Sequence, residues 1–140
     1  ADYPELELKD WYIDIMAANL INRSIRSDFE VFILPNLYGD IITDEAAQIQ
    51  GGVGTAGSAN IGSEYAMFEA VHGSAPFLIE MGIAEYANPT SIFTAVCMML
   101  THIGYTEKAD HLRSALEKAI RVKPDEIKAS VFTDIVLENM

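Results

Sequence analysis

Residues 65–76, with the sequence YAMFEAVHGSAP, decide how the fold is interpreted. Residues 65–71 favour a β-strand, and a loop of small residues that contains His72 follows directly. In α/β folds a nucleotide binds where the carboxyl end of a strand runs into such a loop, and a histidine can hydrogen-bond to or stack on a base. A plain turn with a hydrogen-bonded histidine satisfies the same pattern. The segment therefore predicts an α/β fold and marks one candidate nucleotide site.

The flanking sequence predicts strands that alternate with helices. Further strands are expected at 5–8 and at 29–34, where Pro35 closes the run, and residues 51–62 form a glycine-rich loop. Helices are expected over the ranges 11–21, 39–50, 88–104, 106–122 and 132–137. This order predicts an α/β class with a mostly parallel sheet and flanking helices. Because only three strands are predicted, we expect the sheet to take further strands from residues outside this chain.

The charge balance excludes some classes of partner. The chain has 140 residues, with 9 Lys and Arg against 21 Asp and Glu, for a formal net charge of -12. Like charge repels it from phosphate backbones and anionic lipids, so we expect no nucleic-acid partner and no membrane partner. No Lys or Arg lies between Ser27 and Glu107. An anion bound by that stretch must be held by backbone N–H groups, helix dipoles, a metal ion or residues outside the chain.

Cysteine usage and the amino terminus indicate a compartment. The single cysteine, Cys97, excludes an internal disulfide, and it lies in an apolar run typical of a buried thiol. No apolar stretch reaches the roughly 18 residues of a membrane span, and the acidic start lacks the features of a signal peptide. We expect a cytoplasmic protein, or a protein of the mitochondrial matrix in a eukaryote.

Two carboxylates of one predicted helix form a candidate metal site. Asp40 and Asp44 are four residues apart, so a helix that starts at Gly39 places both on one face. Stabilisation of acidic residues by the helix amino terminus would explain the pair without a metal. The alternative is a Mg²⁺ or Mn²⁺ site, which takes one or two carboxylates together with water and substrate oxygens. Asp14, on the apolar 11–21 helix, gains a role only if a partner brings a metal to it.

Asn88, directly before Pro89, has two interpretations: it caps a helix, or it hydrogen-bonds to the edge of an adenine.

Taken together, these segments resemble the β-decarboxylating dehydrogenases, the family of isocitrate, isopropylmalate and homoisocitrate dehydrogenases. The similarity covers residues 5–140 and is greatest to the isocitrate dehydrogenase branch. The motifs that carry it are NLYGD at 36–40 with Asp44, GGVG at 51–54, SANIG at 58–62, FEAVHGSAP at 68–76, and NPT at 88–90.

The resemblance implies a role for each candidate residue. Asp40 and Asp44 would hold Mg²⁺ or Mn²⁺, and Asp14 would join this metal site from the neighbouring subunit of a homodimer with a shared active site. Glu69 and Ile61 would line the nicotinamide side of the cofactor. The adenosine part would be surrounded by His72, Gly73, Ser74, Ala75 and Asn88. Residues 1–35 would belong to the small dimerisation domain, and 36–140 to the carboxy-terminal part of the large cofactor-binding domain.

The family's other catalytic groups have no counterpart in this chain. The amino-terminal half of the family carries the catalytic Tyr, the substrate-binding Arg cluster and the Lys base. We therefore expect the intact protein to convert an isocitrate-like 2-hydroxy acid by metal-dependent oxidative decarboxylation with NAD(P), and this chain alone to be inert. Homoisocitrate and 3-isopropylmalate stay open as substrates. A regulatory subunit or a non-catalytic fragment is a further alternative.

Departures from the family pattern bear on the cofactor. Phe77 follows Pro76 where the family places an Asp for NAD or a Lys-Tyr pair for NADP, and the apolar segment 77–87 contains Glu80 and Glu85 but no base. A 2′-phosphate beside two carboxylates would be costly, which favours NAD over NADP. Thr55 and Gly57 occupy positions that are usually apolar or Pro, and we expect them to loosen the nicotinamide-side loop.

Overall fold

The computed structural model describes residues 3–71, 75–124 and 126–140. The chain divides into two compact units, Ala1–Ile49 and Gln50–Met140, which are described separately. This boundary differs from the predicted division after residue 35, and the assignment of 1–35 and 36–140 to the two family domains stays a prediction.

The first unit contains three helices: α1 (Ile13–Leu20), α2 (Arg23–Arg26) and α3 (Asn36–Gln50). In α1, Met16 and Leu20 are four residues apart and are buried on one face. Arg26 closes the end of α1, because its Nη1 donates to the carbonyl oxygens of Leu20 at 3.1 Å and Ile21 at 3.0 Å. A cation at this position satisfies carbonyls that have no partner inside the helix.

The predicted strands at 5–8 and 29–34 are wrong for this structure, which has no strand in the described residues of the first unit. Residues 30–34 make no backbone–backbone hydrogen bond within the described part of the chain. Val31 is 75% exposed and Ile33 is 86% exposed. A strand exists only where a neighbour pairs with it, so the β-branched pattern at 29–34 has no sheet to join here.

The second unit begins with a β-hairpin. A 3₁₀ turn (Val53–Thr55) leads into β1 (Gly57–Ile61), which pairs with β2 (Ala66–Ala70). The pairing is antiparallel, with Gly57 opposite Ala70 and Ile61 opposite Ala66. The mostly parallel sheet is therefore not confirmed, since the connection between the strands is too short for a parallel crossover. Strand β1 was not predicted, because the sequence pattern assigned residues 51–62 to a glycine-rich loop. Strand β2 confirms the strand predicted at 65–71.

Helices complete the second unit: α4 (Ala75–Glu80), a 3₁₀ turn (Ala84–Tyr86), α5 (Thr90–His102), α6 (Thr106–Val122) and α7 (Ala129–Glu138). The last three confirm the predicted helices, while α4 was not predicted. The buried faces of these helices form the hydrophobic core. Its buried residues are Cys97, Leu112, Ala115, Leu116, Ala119, Phe132 and Val136. The buried alanines of α6 recur at helical spacing and let the neighbouring helices approach closely.

Gly57 allows the hairpin to lie directly against α5. A Cβ atom at this position would lie 2.7 Å from the backbone nitrogen of Ala95 and 3.0 Å from the carbonyl carbon of Thr94. Backbone atoms inside a helix cannot move aside cheaply, so only glycine fits. The expectation that Gly57 loosens the loop is wrong, because its missing side chain is what permits close packing.

Ser91 joins the two ends of the hairpin to α5. It is 2% exposed, its Oγ donates to the carbonyl oxygen of Ala56, and it accepts from the backbone N–H of Val71 at 2.7 Å. This hydroxyl fixes the point where β2 ends, immediately before His72.

The chain exposes more surface than a self-contained fold of its size. The chain exposes 10419 Å², whereas a self-contained folded domain of this mass is expected to expose about 7,200 Å². Two separate domains with the sizes of the two units would still expose only about 8,600 Å².

Within the described residues, no helix is both long enough and apolar enough to cross a membrane.

Candidate functional site

Helix α3 presents the two candidate metal carboxylates. It begins at Asn36 rather than at Gly39, so Asp40 and Asp44 both lie beyond its first turn. The stabilising effect of a helix amino terminus falls off within that turn, so it does not account for the pair. Both side chains are exposed, and the four-residue spacing places them on one face. Neither forms a salt bridge within the described part of the chain. The pair is therefore a repelling, solvent-facing couple that is free to bind a cation.

Asp14 does not complete a metal cluster inside one chain. It is exposed on α1, and its Oδ1 accepts from the backbone N–H of Ile15 at 2.9 Å. Within the described residues, no group of three or more His, Cys, Asp or Glu side chains is arranged to hold a metal ion. One chain thus offers two carboxylates on α3 and leaves the other ligands to be supplied by water, substrate or another polypeptide.

The two residues assigned to the nicotinamide side lie on the hairpin but not on one face. Ile61 pairs with Ala66, whereas Glu69 pairs with Ser58, and neighbouring positions along a strand face opposite sides. Glu69 is held in place on its own face, because its Oε1 accepts from Nδ2 of Asn60 at 3.0 Å. The hairpin therefore does not bring Ile61 and Glu69 together, and their assignment stays a prediction.

The candidate adenosine residues are described only in part. His72, Gly73 and Ser74 lie outside the described residues, and Ala75 is described only as the first residue of α4. Asn88 is exposed, and its Oδ1 accepts from the backbone N–H of Thr90 at 3.0 Å and from Thr90 Oγ1 at 2.7 Å. Its carbonyl oxygen is thus occupied at the start of α5, and Nδ2 is left as a donor. These bonds join the Asn88 side chain to the first residue of α5, and its contact with an adenine edge stays a prediction.

Asn88 also lines a cavity that the sequence did not reveal. The cavity has a volume of about 500 Å³, in the range of ligand sites. Its lining comes from three separate segments of the second unit: Ile83, Tyr86, Asn88, Pro89, Lys123, Glu126, Ile127 and Phe132. The only sequence signal for this arrangement is the short connection between α6 and α7, which brings residues 123–127 back towards the start of α5.

A base lies next to the segment 77–87, contrary to the expectation. Lys128 Nζ lies 2.7 Å from Oε2 of Glu85 and 6.0 Å from the ring centroid of Tyr86. The hydrogen bond that Lys128 donates to Glu85, together with the negative charge of Glu85, raises the pKa of Lys128. The sequence argument for NAD assumed that no cation lies near Glu80 and Glu85. That assumption is wrong for Glu85, because Lys128 forms an ion pair with it although the two residues are far apart in the sequence. The preference for NAD itself stays a prediction.

Comparison with known proteins identifies the family. Residues 1–136 match the model of the isocitrate/isopropylmalate dehydrogenase family, and the chain belongs to that family. It is 48% identical over 119 residues to isocitrate dehydrogenase [NADP] of Rickettsia prowazekii, covering 85% of this chain and 24% of the relative. It is 44% identical over 120 residues to 3-isopropylmalate dehydrogenase of Archaeoglobus fulgidus, covering 86% of this chain and 35% of the relative.

A solved structure agrees with this assignment. The crystal structure of isocitrate dehydrogenase from Methylococcus capsulatus superposes with a TM-score of 0.88 at 33% identity, covering 99% of this chain and 42% of that one. The chain therefore spans between about a quarter and two-fifths of the length of these relatives. The expected resemblance to a carboxy-terminal portion of the family is confirmed.

Proposed function

We propose that this chain is the carboxy-terminal portion of a dehydrogenase that oxidatively decarboxylates isocitrate to 2-oxoglutarate with NAD(P). The chain would supply metal-binding carboxylates and the adenosine pocket. The observation that carries the proposal is the solvent-facing pair Asp40 and Asp44 on α3, in a chain that belongs to this family. Homoisocitrate or 3-isopropylmalate is the alternative substrate. The 44% identity to 3-isopropylmalate dehydrogenase of Archaeoglobus fulgidus is close to the 48% identity to isocitrate dehydrogenase of Rickettsia prowazekii, which supports keeping 3-isopropylmalate.

The α3 pair fits the requirements of Mg²⁺ or Mn²⁺. These ions take one or two carboxylates and complete their shell with water and substrate oxygens, which a pair of exposed carboxylates permits. We assign Asp40 and Asp44 to one subunit and Asp14 to the other subunit of a homodimer, because one chain does not bring all three together. When bound, the metal would polarise the substrate's hydroxyl and carboxylate and stabilise the enolate that follows loss of CO₂.

The site is incomplete without residues from outside this chain. A tricarboxylate substrate needs cations, and the stretch between Ser27 and Glu107 contains no Lys or Arg. The excess exposed surface is of the size that association with another polypeptide buries. We therefore propose that the isolated chain is catalytically inert. A regulatory subunit is the second candidate, but a subunit freed from metal binding has no reason to keep a repelling pair of carboxylates.

Manganese binding tests this assignment. The chain is mixed with an amino-terminal portion of the family, supplied as a separate polypeptide, and Mn²⁺ is titrated by electron paramagnetic resonance. Asp40→Asn and Asp44→Asn are each expected to weaken Mn²⁺ binding about tenfold or more, since each removes one charged ligand. The matched control Asp134→Asn removes the same charge from an exposed position on α7 and is expected to change nothing.

The outcomes separate the candidates. Equal Mn²⁺ affinity in the two α3 variants and the control would contradict the metal assignment. Binding that depends on the α3 pair but gives no turnover of any 2-hydroxy acid would favour the regulatory subunit.

We also propose a cytoplasmic location, or the mitochondrial matrix in a eukaryote, which fractionation of the source cells checks.

A further inference from the structure

An ion pair joins two walls of the cavity in the second unit. The 3₁₀ turn Ala84–Tyr86 contains Glu85 and supplies one wall through Tyr86. The connection before α7 supplies another wall through Ile127, which directly precedes Lys128. Nζ of Lys128 lies 2.7 Å from Oε2 of Glu85. The pair therefore links two segments that are far apart in the sequence and that face each other across the cavity.

The main chain at each end of the ion pair is held by its own hydrogen bonds. The carbonyl oxygen of Lys128 accepts from the backbone N–H of Phe132 at 3.0 Å, and Phe132 is 1% exposed in the core. At the other end, the backbone N–H of Tyr86 donates to the carbonyl oxygen of Ile83 at 3.0 Å, which closes the turn around Glu85. Because both ends are anchored, the ion pair restrains the separation between the turn and α7.

Tyr86 is the side chain that this restraint positions. Its ring lines the cavity, and Nζ of Lys128 lies 6.0 Å from the ring centroid, at the outer limit of a cation–π contact. An aromatic ring at a cavity wall offers a flat face on which a base can stack. Holding such a ring in place before the ligand arrives lowers the ordering cost of binding. An ion pair that is about half-exposed adds little to overall stability, so its consequence is local.

We propose that Lys128 is a positioning residue, which acts through Glu85 to hold Tyr86 at the wall of the cavity. The inference rests on the proposed function, in which the cavity beside Asn88 receives the cofactor's adenosine. Lys128 is not among the described residues that line the cavity, so it affects a ligand there through its neighbours. The competing interpretation is an ordinary surface ion pair that has no effect on binding.

Charge reversal with adenosine as the probe tests the proposal. Adenosine is uncharged, so it forms no ion pair of its own, and its binding to the 140-residue chain is measured by NMR titration. Glu85→Lys and Lys128→Glu each place like charges opposite one another, and each is expected to weaken adenosine binding roughly two- to tenfold. The double variant restores an ion pair and is expected to bind within about twofold of the unchanged chain. Glu80→Lys and Lys118→Glu are the matched controls, since both positions are exposed and outside this pair, and neither is expected to change the affinity.

Hydrogen exchange without any ligand gives a second measurement. The backbone N–H groups of Tyr86 and Ala87 donate within the turn, to Ile83 at 3.0 Å and Ala84 at 3.2 Å. Their exchange is expected to be faster in each single reversal by a factor similar to the loss of affinity, and to return to its original rate in the double variant.

The outcomes separate this inference from the proposed function. Faster exchange with unchanged adenosine affinity would identify a purely structural pair and overturn the positioning role. A double variant that binds as weakly as the single reversals would overturn it as well. A chain that binds adenosine equally in all variants would overturn this inference and leave the adenosine site intact. An unchanged chain that binds no adenosine would overturn the adenosine site and this inference together.

Discussion

Replacing Gly57 by alanine tests how the hairpin is held against α5. The added Cβ would lie 2.7 Å from the nitrogen of Ala95, 3.0 Å from the carbonyl carbon of Thr94 and 3.1 Å from the Cα of Ala95. All three atoms belong to the backbone of one helix, so the strain cannot be relieved by rotating a side chain. Overpacking of this kind costs about 1–3 kcal/mol, and we expect the upper end because the helix must move as a body.

Cys97 provides the assay. This single thiol lies on α5, two residues from Ala95, and is 2% exposed, so a thiol reagent labels it only when the second unit opens. When opening is fast relative to labelling, the rate follows the opening free energy. A destabilisation of about 3 kcal/mol then accelerates labelling roughly a hundredfold at a fixed urea concentration.

Gly54→Ala is the matched control. Its added Cβ would lie 3.5 Å from the Cβ of Asn88, which is an ordinary contact, and its backbone φ is not positive. We expect labelling within a few-fold of the unchanged chain. If Gly57→Ala labelled as slowly as Gly54→Ala, the close approach of the hairpin to α5 would be refuted.

Three further outcomes are expected. Ser91→Ala should destabilise the second unit by about 1–3 kcal/mol in urea denaturation, because it removes a buried hydroxyl that bridges both ends of the hairpin; a change as small as that of the exposed control Ser130→Ala would contradict this. Burial raises the pKa of the Cys97 thiol above its usual value of 9.0, so its contribution to stability is present below pH 9 and is lost as the pH rises through the raised value; a thiol that Ellman's reagent modifies at pH 8 as fast in the folded as in the urea-unfolded chain would exclude such burial. The pKa of Lys128 is raised by Glu85, so the stability that this pair adds is fully present below the usual value of 10.5 and is lost as the pH rises through the raised value. The melting temperatures of Lys128→Met and the unchanged chain should therefore converge at high pH, and a gap that stays constant would argue against the ion pair.

The helices of the second unit could be predicted because their signals are local. Helix α6 carries its apolar residues at helical spacing, and the start of α5 is marked by Asn88 and Pro89. The buried faces of these helices meet one another inside the chain, so local pattern and tertiary packing agree.

The strands could not be predicted in the same way. Residues 29–34 have a strong strand pattern, but the described residues of this chain offer them no neighbour to pair with. Strand β1 was missed for the opposite reason. The local sequence around Gly57 is typical of a flexible loop. Glycine is required at this position only because the backbone of α5 lies against it, which the local sequence does not show.

The candidate site was predicted where its residues lie on one element. Asp40 and Asp44 share α3, so their spacing alone places them together. The cavity beside Asn88 combines residues from distant parts of the sequence, and neither Lys123 nor Phe132 carries a local signal for it. The same holds for Lys128, whose ion pair with Glu85 depends on how α7 is positioned.

The most direct test of the central claim is isocitrate turnover by this chain alone and within a chimera. In the chimera, this chain replaces the matching segment of the Rickettsia prowazekii relative, which is 48% identical to it. We predict no turnover by the chain alone, and turnover by the chimera that requires Mg²⁺ or Mn²⁺ and is lost in Asp40→Asn but not in Asp134→Asn. Clear turnover by the isolated chain, or an active chimera indifferent to Asp40, would contradict the account.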